Sequence, residues 1–392
     1  MRSGIKFAIY TFVLLLVGAA CATSDTPAPP TTAAAEFVDG PCAATPHPVP
    51  ALTGARCGEL VVPVHRGETG GATMRLSVAV IPSQTQWNVF SHSYGTDLGL
   101  IYLRHDADAV ESIVFDGVTP PSVAALGWTW ASAEDAFDAM IAACAAQPAC
   151  AARYPDLEAT FLRLVGELET NSLTTTVDVP GVGPTTVVVD GGMLLNWFVP
   201  VATHLPADFP AAIDALAHGN PDLVASQWAA AWTNPDKVGV LAWGLTLSIW
   251  CREWVPFETV DDQLDQARAA FPEFPESVLA QAPQLPFLRE GCQAWNVPKA
   301  PDSIRDITSS DVPALVLSGS YDGQTGPVWG DYIAKDLSRS TVVVVPGAAH
   351  GVYAEPCGGE IIAAFFDNPD KPDTACAETT RPPDYTISPP GP

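Results

Sequence analysis

The chain has 392 residues, 47% hydrophobic and 16% charged, with 44 acidic residues against 18 basic and a formal net charge of −26. That is enough apolar sequence for one large core or two moderate ones. A field of this sign repels nucleic acid, favours neutral or cationic partners and keeps an exported protein soluble.

In chain order, Arg2 and Lys6 precede an apolar run from Phe7 to Ala20. The run is too short to span a bilayer and fits a signal-peptide core. It ends in "VGAAC", where small residues permit ordinary cleavage nearby or lipid attachment at Cys21. The following "TSDTPAPPTTAAAE" has nothing to bury and reads as a tether. "CGELVVPV" and "MRLSVAVIP", joined by a Gly-rich turn, predict a β-hairpin. A short strand over Trp87–Phe90 leads into a helical period from Tyr94 to His105, and "SIVFDGVTPP" is a further strand stopped by Pro120 and Pro121. Strand, helix, strand implies a parallel sheet.

From about Ser122 the character changes: "PDLEATFLRLVGELE" is an amphipathic helix, "LTTTVDVPGVGPTTVVVD" a hairpin, and nine of the eleven Trp lie between Trp128 and Trp295. This reads as a cap inserted into a core. "VPALVLSGSYDG", the helical "PVWGDYIAKDL" and "STVVVVPGAAHG" then form a second strand–helix–strand unit. The expected division is a signal over 1–21, a Pro/Thr/Ala linker over 22–40, core over 41–121, cap over 122–310 and core over 311–392.

The stretch "NVFSHSYGTDL" has the form of a nucleophile elbow, S-x-S-x-G, with Ser91 and Gly95 as the small residues flanking Ser93. A serine hydroxyl is a poor nucleophile near neutral pH; it needs a base, a group orienting that base, and donors for the oxyanion. Asp322 follows the strand "ALVLSGS" and His350 follows "TVVVVPG". Read singly, Asp322 is an Asp-Gly turn and His350 a loop histidine. Their order after Ser93, each at the C-terminal end of a strand, is what points to a Ser93–Asp322–His350 triad. Asp116, ending "SIVFD", is the alternative acid, and the backbone N–H of Tyr94 is an oxyanion donor. No Cys or His spacing suggests a metal site, and no cofactor is called for. Of nine cysteines, eight remain once Cys21 is set aside, an even number in an exported chain. Neighbour order, among many alternatives, pairs Cys42–Cys57, Cys144–Cys150, Cys251–Cys292 and Cys357–Cys376.

The stretches "CGELVVPV", "SHSYGTDLGLIYLR", "CAAQPACAARYP", "SIWCREWVPF", "VPALVLSGSYDGQTGP" and "VVVVPGAAHGVYAEPC", in that order, resemble the tripeptidyl-aminopeptidase-like α/β-hydrolases, related to the proline iminopeptidases of peptidase family S33. The resemblance implies an α/β-hydrolase fold, a mostly parallel sheet with an inserted, largely helical cap. It implies an exported serine exopeptidase that releases short peptides or residues from N-termini, with its triad on Ser93, Asp322 and His350. It also favours the local cysteine pairs. Glu253, in "CREWVPF", is the cap carboxylate that could hold a substrate amine; a solvated surface Glu is the plainer reading.

One part of that pattern is missing. "SVAVIPS" runs into "QTQWNVFSHSYG" without the Gly-rich oxyanion segment, so the sheet is expected to be short of two βα units. The expected consequences are an open edge or a shifted hairpin beside the Ser93 strand, displacement of Ser93 from His350, and weak catalysis, unless a loop near Ser83–Gln86 turns an N–H to the site. The readings are an exopeptidase, an esterase of the same fold, or a catalytically impaired binding protein. The expected partner is a small peptide or ester. The protein is expected to be monomeric, secreted or in the cell envelope, and to meet a membrane only through a lipid anchor.

Overall fold

In a computed structural model of the chain, residues 36–42, 54–63, 73–80, 86–233, 242–280 and 288–387 are described. The proposed signal, Cys21 and most of the tether lie outside them. The molecule divides into two compact units, Met1–Gln84 and Thr85–Pro392.

In the first unit, β1 (Glu36–Asp39), β2 (Arg56–Pro63) and β3 (Thr73–Val80) form an antiparallel sheet in that order. The predicted hairpin is β2–β3, with Arg56 opposite Val80 and Pro63 opposite Thr73. β1 arises inside the stretch read as tether. Its "EFVD" carries the aromatic and β-branched residues that suit a strand, and it pairs with β2 from Glu36↔Val61 to Asp39↔Gly58. Most of β3 is exposed, so the Cys42–Cys57 disulfide is a principal staple of this small unit.

The second unit contains β4 (Trp87–His92), β5 (Val110–Asp116), β6 (Leu173–Val179), β7 (Gly183–Val189), β8 (Ala314–Gly319) and β9 (Ser340–Val345). A parallel sheet runs β4-β5-β8-β9, and β6–β7 is a separate hairpin. β5 and β8 are nearly continuous buried apolar runs, as strands covered on both faces must be. The two-residue alternation sorts them. Ile113, Phe115, Ala314 and Val316 face a cluster with Leu100 and Leu103 of helix Gly95–Asp106 and Trp329 and Ile333 of helix Pro327–Ala334. Val114, Leu315 and Leu317 face Ile361 and Phe365 of helix Pro356–Asp367 on the opposite side. Between β5 and β8 the chain inserts a largely helical layer that buries its own aromatic core of Trp130, Phe137, Phe161, Trp197, Phe198 and Phe209.

β4 is the end strand of this four-stranded sheet, with Trp87 and Phe90 exposed at 41% and 44%. Among the described residues no helix is long and apolar enough to cross a membrane.

All four neighbour-order disulfides are present: Cys42–Cys57, Cys144–Cys150, Cys251–Cys292 and Cys357–Cys376. Disulfides of this number belong to chains that fold in an oxidising, extracytoplasmic compartment. Cys251–Cys292 closes the widest loop, with a sequence separation of 41. Replacing both of its cysteines by Ser is expected to lower the unfolding free energy by about 2–5 kcal/mol, read from guanidinium denaturation. An unchanged midpoint would remove this bond from the stabilising set.

Candidate active site

Ser93 sits between the end of β4 and the start of helix Gly95–Asp106, with φ +54. A non-glycine residue in the left-handed region costs about 1–3 kcal/mol and persists only where its surroundings over-determine it. Here the Ser93 N–H donates to the Asp116 carbonyl at 3.0 Å. The Ser93 carbonyl accepts from Thr96 N at 2.8 Å, Thr96 Oγ1 at 2.7 Å and Thr119 Oγ1 at 3.1 Å. Thr119 N in turn donates to Thr96 Oγ1 at 2.8 Å, so one threonine from the helix and one from beyond β5 clamp the turn.

The elbow's small residues divide their work differently from the sequence expectation. Ser91 is buried and donates to the Val114 carbonyl at 2.5 Å. A Cβ on Gly95 would meet nothing within 4 Å, whereas one on Gly99 would lie 3.0 Å from Ser91 Oγ and 3.1 Å from the Phe115 ring. The close helix–strand approach is therefore at Gly99, one helical turn beyond Gly95.

Ser93 Oγ lies 2.9 Å from His350 Nε2, and His350 Nδ1 lies 2.9 Å from Asp322 Oδ2. Asp322 is 1% exposed. Its Oδ1 accepts from Gln324 N at 3.0 Å and Thr325 N at 2.9 Å, and its Oδ2 from Thr325 Oγ1 at 2.6 Å. Thr325 Oγ1 is also 2.9 Å from His350 Nδ1. Thr325 was not anticipated; its signal is the Asp322-Gly-Gln-Thr325 spacing, in which an Asp binds backbone and hydroxyl two and three residues on. Burial acts to raise the Asp322 pKa, but the His350 ring and the Thr325 donors outweigh it and hold it at about 2. For His350, burial acts to lower the pKa, and the Asp322 carboxylate outweighs it, leaving a net rise above the ordinary histidine value. Gly117, at φ +65, permits this packing: a Cβ there would fall 2.8 Å from Thr325 Oγ1 and 3.3 Å from the His350 ring.

Asp116, the alternative acid, is spoken for elsewhere. Fully buried, it accepts from the backbone N–H of Val352 at 3.1 Å and Tyr353 at 2.9 Å, and so anchors the loop that carries His350. The His92 ring stands 4.7 Å from that of His350, and burial followed by the charge of His350 lowers its pKa.

The expected displacement of Ser93 does not occur. β4 keeps parallel register with β5 up to His92↔Asp116, and the clamp on Ser93 is built from β5, Thr96 and Thr119. The backbone N–H of Tyr94 has no partner among the described residues. Of the loop suggested as a second donor, residues 83–85 lie outside the described residues. Gln86 precedes β4, seven positions before Ser93, which at about 3.3 Å per residue is roughly 20 Å from the elbow. Its Nε2 donates to the Asp108 carbonyl at 3.0 Å.

Glu253 is on a π-helical turn, Trp250–Trp254, pinned by the Cys251–Cys292 bond. Its Oε2 accepts from the Tyr94 hydroxyl at 3.0 Å, and burial raises its pKa. A cavity of about 450 Å³ opens on Ser93 and His350, bounded by Tyr94, Trp243, Trp250, Trp254 and Trp329. A larger hollow of about 570 Å³, lined by Pro206, Pro346 and Glu355, contains neither Ser93 nor His350. Among the described residues no group of His, Cys, Asp and Glu is placed to hold a metal ion.

Residues 280–377, which include Asp322 and His350, match an α/β-hydrolase family described as TAP-like protein. No curated protein matches the chain. Among solved structures it is similar to an α/β hydrolase enzyme from a Medee basin deep-sea metagenome library, at 12% identity and a TM-score of 0.28. That likeness covers 72% of this chain and 66% of the other, so the chain spans just under two thirds of its length. The parallel β4-β5-β8-β9 sheet, helices on both faces and a helical insertion after β5 make this an α/β-hydrolase fold.

Proposed function

We propose that the protein is an exported serine hydrolase that transfers an acyl group to water through Ser93, His350 and Asp322. The observation that carries this reading is the unbroken chain of contacts, 2.9 Å from Ser93 Oγ to His350 Nε2 and 2.9 Å from His350 Nδ1 to Asp322 Oδ2, on a strained strand-to-helix turn. In the proposed cycle His350 Nε2 takes the Ser93 proton as Oγ attacks the substrate carbonyl, and the Tyr94 N–H donates to the oxyanion. His350 then protonates the leaving group, and a water repeats the sequence in reverse to release the acid. Asp322, ionised throughout, holds the imidazole with its proton on Nδ1.

The four disulfides support an exported protein, secreted or in the envelope; anchoring through Cys21 belongs to the same proposal. The resemblance to the tripeptidyl-aminopeptidase-like hydrolases, with which the TAP-like match over 280–377 agrees, favours an exopeptidase that trims N-termini; in that reading Glu253, outside the matched segment, would hold the substrate amine. An esterase is the second reading, favoured by a cavity that Glu253 does not line. Incubation with a fluorophosphonate followed by peptide mass spectrometry tests the nucleophile, with an adduct expected on Ser93. An unmodified Ser93 together with no turnover of p-nitrophenyl butyrate or alanyl p-nitroanilide would instead favour a binding protein of impaired chemistry.

A further inference from the structure

We infer that the cavity beside Ser93 takes an uncharged, apolar group of aromatic size, so that the substrate is neutral next to the scissile bond. The inference rests on the proposed role of Ser93 and specifies its substrate class.

The wall decides the chemistry. Trp232, Trp243, Trp250, Trp254 and Trp329 contribute five indole rings, and Leu245 adds an exposed aliphatic side chain. Trp250 and Trp254 stack at 5.6 Å and Trp329 is anchored through its Nε1–H to the Trp128 carbonyl at 3.2 Å, so this part of the wall is braced. The polar members among the described lining residues are hydroxyl and amide groups and His350; there is no carboxylate, ammonium or guanidinium. A volume of about 450 Å³ lies in the usual range for a small-ligand site, about 300–1,000 Å³.

The acids behind this wall do not change this, and Asp322 is already committed to Thr325 and His350. The carboxylate of Glu253 is engaged by the Tyr94 hydroxyl, and Asp97 is buried in the first turn of the elbow helix at 2% exposure. Burial raises the pKa of both. A primary ammonium entering the cavity would give up the water on three N–H donors for a wall that offers hydroxyl and amide oxygens but no carboxylate among its described residues. A quaternary ammonium has no such donors and can rest on indole faces, which makes it the competing occupant.

The test compares kcat/KM for the p-nitrophenyl esters of N-acetyl-phenylalanine and of phenylalanine with its free amine, at a pH where that amine is protonated. The blocked ester is expected to be preferred by about tenfold or more, since the charged amine loses its water to a wall that supplies no carboxylate among its described residues. Leu245→Asp, at an exposed rim position, is expected to narrow or reverse the ratio by supplying a carboxylate. Preference for the free amine in the unaltered protein would overturn the inference, as would faster hydrolysis of butyrylthiocholine than of its uncharged carbon isostere. Binding keeps the two readings apart. In Ser93→Ala protein, tryptophan fluorescence should report tighter association of N-acetyl-phenylalanine methyl ester than of phenylalanine methyl ester. If that order holds while Ser93 takes no fluorophosphonate, the cavity assignment stands and the hydrolase reading falls; if the order reverses while Ser93 is labelled, the cavity assignment falls alone.

Discussion

Ser93→Ala is expected to lower kcat by about 10⁶-fold, the scale on which a triad that acts as a unit fails when its nucleophile is removed. His350→Ala is expected to fall to the same floor, because a serine hydroxyl without its base is not activated. The starting rate is itself expected to be modest. Tyr94 offers one N–H at the elbow, and an oxyanion held by that donor alone is expected to cost about 10²–10³ in kcat. Rates on p-nitrophenyl esters, with circular dichroism to verify that the fold is retained, make the comparison. The substitution leaves the clamp of Thr96 and Thr119 on the Ser93 carbonyl untouched, so the turn is expected to survive. Activity retained by Ser93→Ala would move the chemistry to another residue.

Asp322→Asn is expected to lower kcat by about 10⁴-fold with the fold intact, because it reverses the imidazole tautomer. Oδ1 could still accept from Gln324 and Thr325, but the new amide would donate toward His350 Nδ1. The ring proton would then sit on Nε2, facing Ser93 Oγ, where a base must offer a lone pair. The pH profile carries a second signature. His350 acts as a base only when neutral, and its pKa is raised above the ordinary value by the Asp322 carboxylate against the opposing effect of burial. Activity of the unaltered protein is therefore expected to decline as pH falls through that raised pKa, while Asp322, held at about 2, remains ionised. In Asp322→Asn the raising charge is gone and the residual activity should persist to lower pH. An acid limb that does not move between the two proteins would exclude Asp322 as the group that sets the His350 pKa.

Much of this site is legible in the chain because its parts are local. A short apolar strand, a tight turn and a helical period surround Ser93 within a few residues, and the strands before Asp322 and His350 are apolar runs ended by Gly and Pro signals. Neighbouring cysteines close short loops, so pairing by chain order agrees with the folded molecule. Other features depend on contacts between segments far apart in the chain. Asp116 ends the parallel strand β5 and Asp322 follows the parallel strand β8, and their residue type does not separate them; only packing commits Asp116 to Val352 and Tyr353 and leaves Asp322 for His350. The elbow pattern selects Gly95, yet steric need falls on Gly99, since the helix face that meets Ser91 is set by how the helix lies on β4 and β5. Glu253 reads as a surface acid, but a turn held by Cys251–Cys292 delivers it to Tyr94. Nine tryptophans in the inserted region announce an aromatic layer without assigning their places. Trp130 and Trp197 fill its core, while Trp232, Trp243, Trp250 and Trp254 face the cavity. Hydrophobicity is the same for both sets, so only the neighbours each helix acquires on folding decide which indoles pack against protein and which are left for a substrate.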